Sequence, residues 1–248
     1  VTQIALVTYP GFTALDLIGP YEVLRMLPDA DIRFVWHETG PVTTDSGVLV
    51  IGATHAFRET PRPDIVVVPG GSTSVMIHAD DPELRRWLRA VDEYTTWTAS
   101  VCAGSVILGA AGLLRDRRAT SHWQAVQALR AFGATPSADE RIVEDGDIVT
   151  AAGVSAGIDL ALWIAERIAG SERAKAIALA IEYDPQPPFH SGNVANASAG
   201  TIARANAILA RDSITLPHMS SGIKVMWRAA IRQARVGRRR RRPVLPTR

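Results

Sequence analysis

Two apolar patterns alternate along most of the chain: short unbroken apolar runs that stop at Gly or Pro, and longer stretches with helical periodicity. "QIALVTYPGF" is a run of the first kind and ends at Pro10-Gly11. "PDIVVVPGG" (63–71) is the clearest. Its apolar positions do not alternate, as expected for a strand covered on both faces of a parallel sheet, and it closes on Pro69-Gly70-Gly71. "DIRFVWHE" and "TWTASV", the latter ending at Cys102, read as further strands. "PVTTDSGVLVIGATH" reads as short strands around Ser46-Gly47, and "RIVEDGDIVTAAG" as a β-hairpin turned at Asp145-Gly146.

Between these runs lie helical patterns. "DPELRRWLRAVDEY" is amphipathic, with Asp81 placed as N-cap and Pro82 in the first helical position. "GSVILGAAGLL", "HWQAVQALRAF" and "ASAGTIARANAILAR" read as helices. So do "SAGIDLALWIAERIAG", ending at Gly170, and "SERAKAIALAIEY", following a Ser171 cap. "DPQPPF" reads as extended. In "TALDLIGPYEVLRML", Pro20 has no N–H to give to a preceding turn, so the regular helix is expected from about Gly19. That leaves Asp16 in the loop or turn before it. Strands alternating with helices predict an α/β fold with a mainly parallel sheet. A single domain is expected over 1–215, followed by a tail over 216–248.

Composition narrows the class. With 248 residues and 47% hydrophobic content, the chain can bury a substantial core. No apolar run is long enough to span a bilayer, and the start lacks the layout of a signal peptide, so a cytoplasmic protein is expected. One cysteine allows no internal disulfide and no cysteine-rich zinc site. The six histidines show no HExxH-like spacing, and no metal is expected. The net charge of +2 hides an asymmetry. Ten of the 27 Lys/Arg lie in 216–248, which has no Asp or Glu, so the remainder holds 17 basic and 25 acidic groups, a net −8. The five-arginine block beside prolines reads as a solvated arm, not as a specific reader of nucleic acid.

Three strand-ending loops carry candidate chemistry. They supply Asp16, Gly70-Gly71 and Cys102-Ala103-Gly104, and in an open parallel sheet such loops share one rim, where ligands bind. A cysteine between a strand and a helix has the arrangement of a nucleophile elbow. The helix N-terminus aimed at the sulfur is expected to favour thiolate. The glycines let backbone N–H groups approach a substrate, and the N–H of Ala103 is the natural partner of Gly71 as an oxyanion-type donor. The blander readings are a buried inert cysteine, a helix-capping aspartate and an ordinary glycine turn.

The segments "YPGFTALDLIGPYEVL", "FVWHETGPVTTDSG", "VVVPGG", "SVCAGSVILGAAGLLRDRRATSHW", "GVSAGIDLAL" and "EYDPQPPF" occur in one order over roughly residues 3 to 212. In them the chain resembles the ThiJ/PfpI superfamily, related to class I glutamine amidotransferases, and within it the isonitrile (isocyanide) hydratase branch. The resemblance implies a flavodoxin-like three-layer sandwich, a homodimer and no cofactor. It implies Cys102 as nucleophile toward an isonitrile carbon, a thioimidate resolved by water to an N-substituted formamide, and Asp16 handling protons. The hydratase pattern has threonine after the cysteine, where this chain has Ala103. PfpI-type proteases have histidine there, so a Cys-His triad is not expected. His122 in "RRATSHW" is expected to open a helix and to serve structure, and Trp123 to pack, with a pocket role for either as the alternative. Two other readings remain open. One is the sensor domain of an AraC-type regulator, which would need about a hundred further residues for its two DNA-binding units. The other is a glyoxalase-like or redox stress protein, whose glyoxalase-like members place glutamate at position 16.

Overall fold

The computed structural model describes residues 1–211 together with Val225, Met226 and Ala229. In chain order the strands are β1 (Thr2–Val7), β2 (Ala30–Trp36), β3 (Gly40–Thr43), β4 (Val50–Ala53), β5 (His55–Ala56) and β6 (Ile65–Val68). They continue with β7 (Trp97–Val101), β8 (Arg118–Ala119), β9 (Thr135–Pro136), β10 (Ile142–Asp145) and β11 (Ile148–Ala151). The helices are α1 (Ala14–Leu24), α2 (Ser74–Asp80), α3 (Pro82–Asp92), α4 (Gly104–Ala111), α5 (Ala156–Ala169), α6 (Ser171–Ala180) and α7 (Ala199–Arg211).

Seven strands form the central sheet in the order β10-β11-β7-β6-β1-β2-β5. Every neighbouring pair is parallel except the β10–β11 hairpin. The all-apolar β6 is buried at every position, and β1 on one side and β7 on the other cover its edges. Helices pack on the sheet in two groups, α1 with α5 and α6, and α2 and α3 with α4, giving the α/β sandwich with a mainly parallel sheet. Asp81 caps α3 as its sequence predicts, its carboxylate accepting from the N–H groups of Glu83 and Leu84.

Four local expectations are corrected. Helix α1 begins at Ala14, not near Gly19, so Asp16 lies in its first turn with Pro20 inside the helix. The proline leaves the Asp16 carbonyl without an intrahelical donor, but its buried ring packs tightly on Gly157 of α5. Helix α2 follows the glycine loop, and its seven residues are too few to show a clear period. "HWQAVQALRAF" winds as a 3-10 helix over Val126–Phe132, with His122 in the turn before it. We attribute the tighter winding to its fixed ends: Ser121 is bonded to the Cys102 carbonyl, and the Phe132 ring lies against Gly109. Ser171 is the first residue of α6 and supplies no cap. The hairpin pairs Asp145 with Ile148, so its two loop residues are Gly146 (φ +65°) and Asp147.

Candidate active site

Strands β1, β6 and β7 lie side by side and parallel, so the loops after them meet at one rim. The glycine loop is their junction. A Cβ on Gly70 would lie 2.6 Å from the Ala103 nitrogen, 2.8 Å from Asp16 Oδ2 and 2.9 Å from the Cys102 Cβ. Only a residue without a side chain lets the three loops close on each other. The Gly70 N–H donates to Asp16 Oδ2 at 2.7 Å, and the Thr13 N–H donates to the Gly70 carbonyl at 3.0 Å. A Cβ on Gly104 would fall on the Val68 carbonyl oxygen, so glycine there lets α4 start hard against the end of β6.

Cys102 sits at the bend between β7 and α4 with φ +57°, a left-handed conformation that costs a non-glycine residue about 1–2 kcal/mol. The surroundings fix it. Its N–H donates to the Ala152 carbonyl at 2.8 Å, and its own carbonyl accepts from Ser121 Oγ at 3.0 Å and Ser105 Oγ at 3.4 Å. The residue is 6% exposed and borders a cavity of about 450 Å³. The backbone N–H groups of Ala103 and Val154 lie on the side of the sulfur and favour its ionised form.

The acid–base balance differs from the one expected from the helix end alone. Burial pushes the Cys102 thiol well above its ordinary value, and the nearby Asp16 carboxyl adds to this, outweighing the two backbone N–H groups. Burial likewise holds the Asp16 carboxyl up at about 7, against the opposing pull of the Gly70 N–H. Asp16 Oδ1 has no hydrogen-bond partner among the described residues, and the carboxyl and the thiol shift each other's protonation, Asp16 pushing the thiol up. Two negative charges are disfavoured in this site, so near neutral pH the pair retains at least one proton.

The cavity unites some of the sequence candidates and leaves others out. Cys102, Ala103, Gly71 and His122 line it; Asp16 and Gly70 are packed behind its floor. His122 does not begin a helix, and burial lowers its pKa, which keeps the ring neutral near pH 7. Its Nδ1 accepts weakly from the Gln124 N–H at 3.4 Å. Trp123 is turned away, into a separate small space formed with α7 residues Thr201, Ile202 and Ala205. Sequence reasoning missed Ser121 and Val154, whose roles arise from contacts between segments distant in the chain. Val225 and Ala229, within the stretch expected as tail, are buried, and Met226 borders the cavity. Among the described residues no group of three His, Cys, Asp or Glu side chains is placed to hold a metal ion.

The sequence profile of the DJ-1/PfpI family matches residues 2–167, which include all three loops. The chain belongs to the DJ-1/PfpI family. This DJ-1/PfpI protein is 39% identical over 203 residues to the isonitrile hydratase of Pseudomonas putida, covering 82% of this chain and 88% of that one. It is 33% identical over 172 residues to the HTH-type transcriptional regulator CdhR of Pseudomonas aeruginosa, covering 66% of this chain and half of the regulator. A crystal structure of a ThiJ/PfpI family protein from Pseudomonas syringae superposes with a TM-score of 0.83 at 35% identity, covering 90% of each chain.

Proposed function

We propose that the protein is an isonitrile hydratase. The observation that carries this reading is a strained, cavity-lining Cys102 beside a carboxyl that burial holds near neutral pKa, in a chain similar to a hydratase over most of both lengths. In the reaction the Cys102 sulfur bonds to the terminal isonitrile carbon. The thiol proton passes through Asp16 to that same carbon, giving the S-linked thioimidate. Water then adds across the C=N bond, its oxygen to carbon and one proton to nitrogen; the C–S bond breaks, and the hydroxyl proton returns to sulfur as the N-substituted formamide leaves. Hydrogen and oxygen enter only from water, so no cofactor is needed.

A resting pair that holds one proton, on the thiol beside an ionised Asp16, suits this chemistry, because that proton must leave sulfur and reach carbon within the same site. The Ala103 and Val154 N–H groups would hold negative charge on the sulfur as its proton departs, and Gly71 would donate to the oxygen of the added water. His122 borders the substrate space as a neutral ring. We carry the homodimer and a cytoplasmic location as parts of the same proposal, and sedimentation of the purified protein tests the first. Incubation with simple alkyl isonitriles should release the matching N-alkylformamides; absence of turnover across a varied panel would overturn the reading.

A ligand-sensing role is the second reading, favoured by the likeness to CdhR over the sensor-sized half of that protein. Saturable isonitrile binding without turnover, together with salt-resistant binding to a defined DNA site, would support it. The redox alternative fits the site less well, because a deeply buried thiol with a raised pKa supplies little thiolate to an oxidant.

A further inference from the structure

Tyr9 is a fully buried polar residue that the proposed chemistry leaves unused. It lies just beyond β1, and the parallel β1–β6 register, which pairs Leu6 with Val67, carries it alongside Pro69 and Gly70 past the strand ends. Its hydroxyl donates to the Pro69 carbonyl at 2.9 Å. That carbonyl and the Gly70 N–H belong to one planar peptide unit, and the N–H donates to Asp16 Oδ2 at 2.7 Å. The groups thus form a chain, from phenol to carbonyl and, through the peptide, from amide to carboxyl. Each bond in such a chain polarises the next, strengthening it by roughly 10–30%.

Packing fixes the ring. Its centroid lies 4.5 Å from that of His78 in α2 and 6.2 Å from those of Phe12 and of Trp36 in β2. His78 Nε2 in turn donates to the Pro10 carbonyl at 3.0 Å. The hydroxyl is therefore anchored on one side, and on the other it holds the plane of a peptide whose rotation would turn the Gly70 N–H away from Asp16. Burial and the neighbouring Asp16, Cys102 and Asp45 push the Tyr9 phenol well above its ordinary value, so it serves as a neutral donor and carries no proton in the reaction. The titratable groups facing Asp16 are Cys102, Asp45 and Tyr9 itself, with His78 against the Tyr9 ring. Removal of a neutral hydroxyl adds and deletes no charge among them.

We propose that Tyr9 is a positioning residue: its hydroxyl locks the Pro69–Gly70 peptide so that the Gly70 N–H stays aimed at the Asp16 carboxylate. Asp16 in that state takes the thiol proton, and Tyr9 acts on the reaction only through the glycine loop. The inference rests on the hydratase reading above for the task it gives Asp16; the peptide lock itself stands apart from that reading.

The test is the pH profile of kcat/KM for an uncharged alkyl isonitrile in the parent protein and in Tyr9→Phe, which keeps the ring and removes the donor. The Gly70 bond favours the ionised carboxyl, so weakening it should move the midpoint of the Asp16 limb up from about 7 by about 0.3–0.6 pH units. At about pH 6 kcat/KM then falls by about two- to fourfold, while above the limb it stays within about twofold of the parent. A merely structural defect scales the whole profile and leaves the midpoint in place. Meta-fluorotyrosine at position 9, a stronger donor of nearly the same shape, should move the midpoint down. A midpoint unmoved or lowered in Tyr9→Phe overturns the inference, whatever the plateau rate, and leaves the hydratase reading standing. If that variant does not fold, the fluorotyrosine protein decides alone, a downward shift in support and any other result against. If no isonitrile reacts, the hydratase reading falls instead. The same comparison is then made on the titration of the carboxyl-carbon NMR resonance that Asp16→Asn removes: an upward shift in Tyr9→Phe supports the lock, and an unmoved or lowered midpoint overturns it.

Discussion

At the scale of single residues, two features bear most of the argument: the left-handed backbone of Cys102 and the burial of Asp16. Cys102→Gly should be at least as stable as Cys102→Ala, because glycine alone relaxes a φ of +57° without strain. Urea unfolding of the two variants measures this directly. For Asp16, the folded protein holds the carboxyl proton up to about pH 7, whereas the unfolded chain releases it near the ordinary carboxylate value of about 4. The native state thus binds more protons across that window, and stability falls as pH rises through it. The contribution is present below about pH 4 and lost as pH passes about 7, with an upper bound of about 4 kcal/mol. Asp16→Asn should flatten the slope of urea midpoint against pH between 4 and 7; a slope equal to the parent's would mean that other groups set it. In catalysis the sign is opposite. The active form has an ionised Asp16 beside a neutral thiol, so kcat/KM should rise with pH through about 7. Asp16→Asn should abolish that limb and slow turnover by about a hundredfold or more. Near-normal rates in that variant would remove Asp16 from the mechanism.

Among the elements, the strands that build the rim were legible because burial on both faces leaves an unbroken apolar run, as in Val66–Val68. The cap and first turn of α3 were legible because Asp81 and Pro82 act within a few residues of themselves. The start of α1 was not, because Pro20 is made tolerable by a partner 137 positions away in sequence, Gly157. The site shows the same division. The convergence of Asp16, Gly70 and Cys102 followed from their place in strand-ending loops, while the hold of Ser121 and Ala152 on Cys102 depends on segments that meet only after folding. The thiol pKa ran opposite to the local reading because burial is a property of the whole surroundings and outweighs one short helix end. The α1–α5 contact itself is tight. A Cβ on Gly157 would lie 3.1 Å from Pro20 Cδ and 3.2 Å from Val101 Cγ1. Gly157→Ala should therefore cost about 1–3 kcal/mol in urea unfolding at constant m-value, whereas a neutral or stabilising result would show that the two helices can slide apart at little cost.

For the molecule as a whole, the charge asymmetry separates an acidic body from a basic end. The described residues place Cys102 and Asp16 in the body, and Met226 of the basic stretch also borders the cavity. Removal of the chain from Val236 onward, five-arginine block included, should leave kcat/KM within about twofold, since every described residue that borders the cavity precedes it in sequence. A large loss in that truncation would assign the arginines a part in the reaction.

The central claim is that a sheet-rim thiol forms a covalent bond to substrate carbon. Formamide formation from cyclohexyl isonitrile by the parent protein and by Cys102→Ala, at matched concentration and with circular dichroism confirming that both are folded, measures it most directly. The account predicts formamide from the parent and none above the uncatalysed rate from the variant. Formamide from folded Cys102→Ala at a rate comparable to the parent's would contradict it.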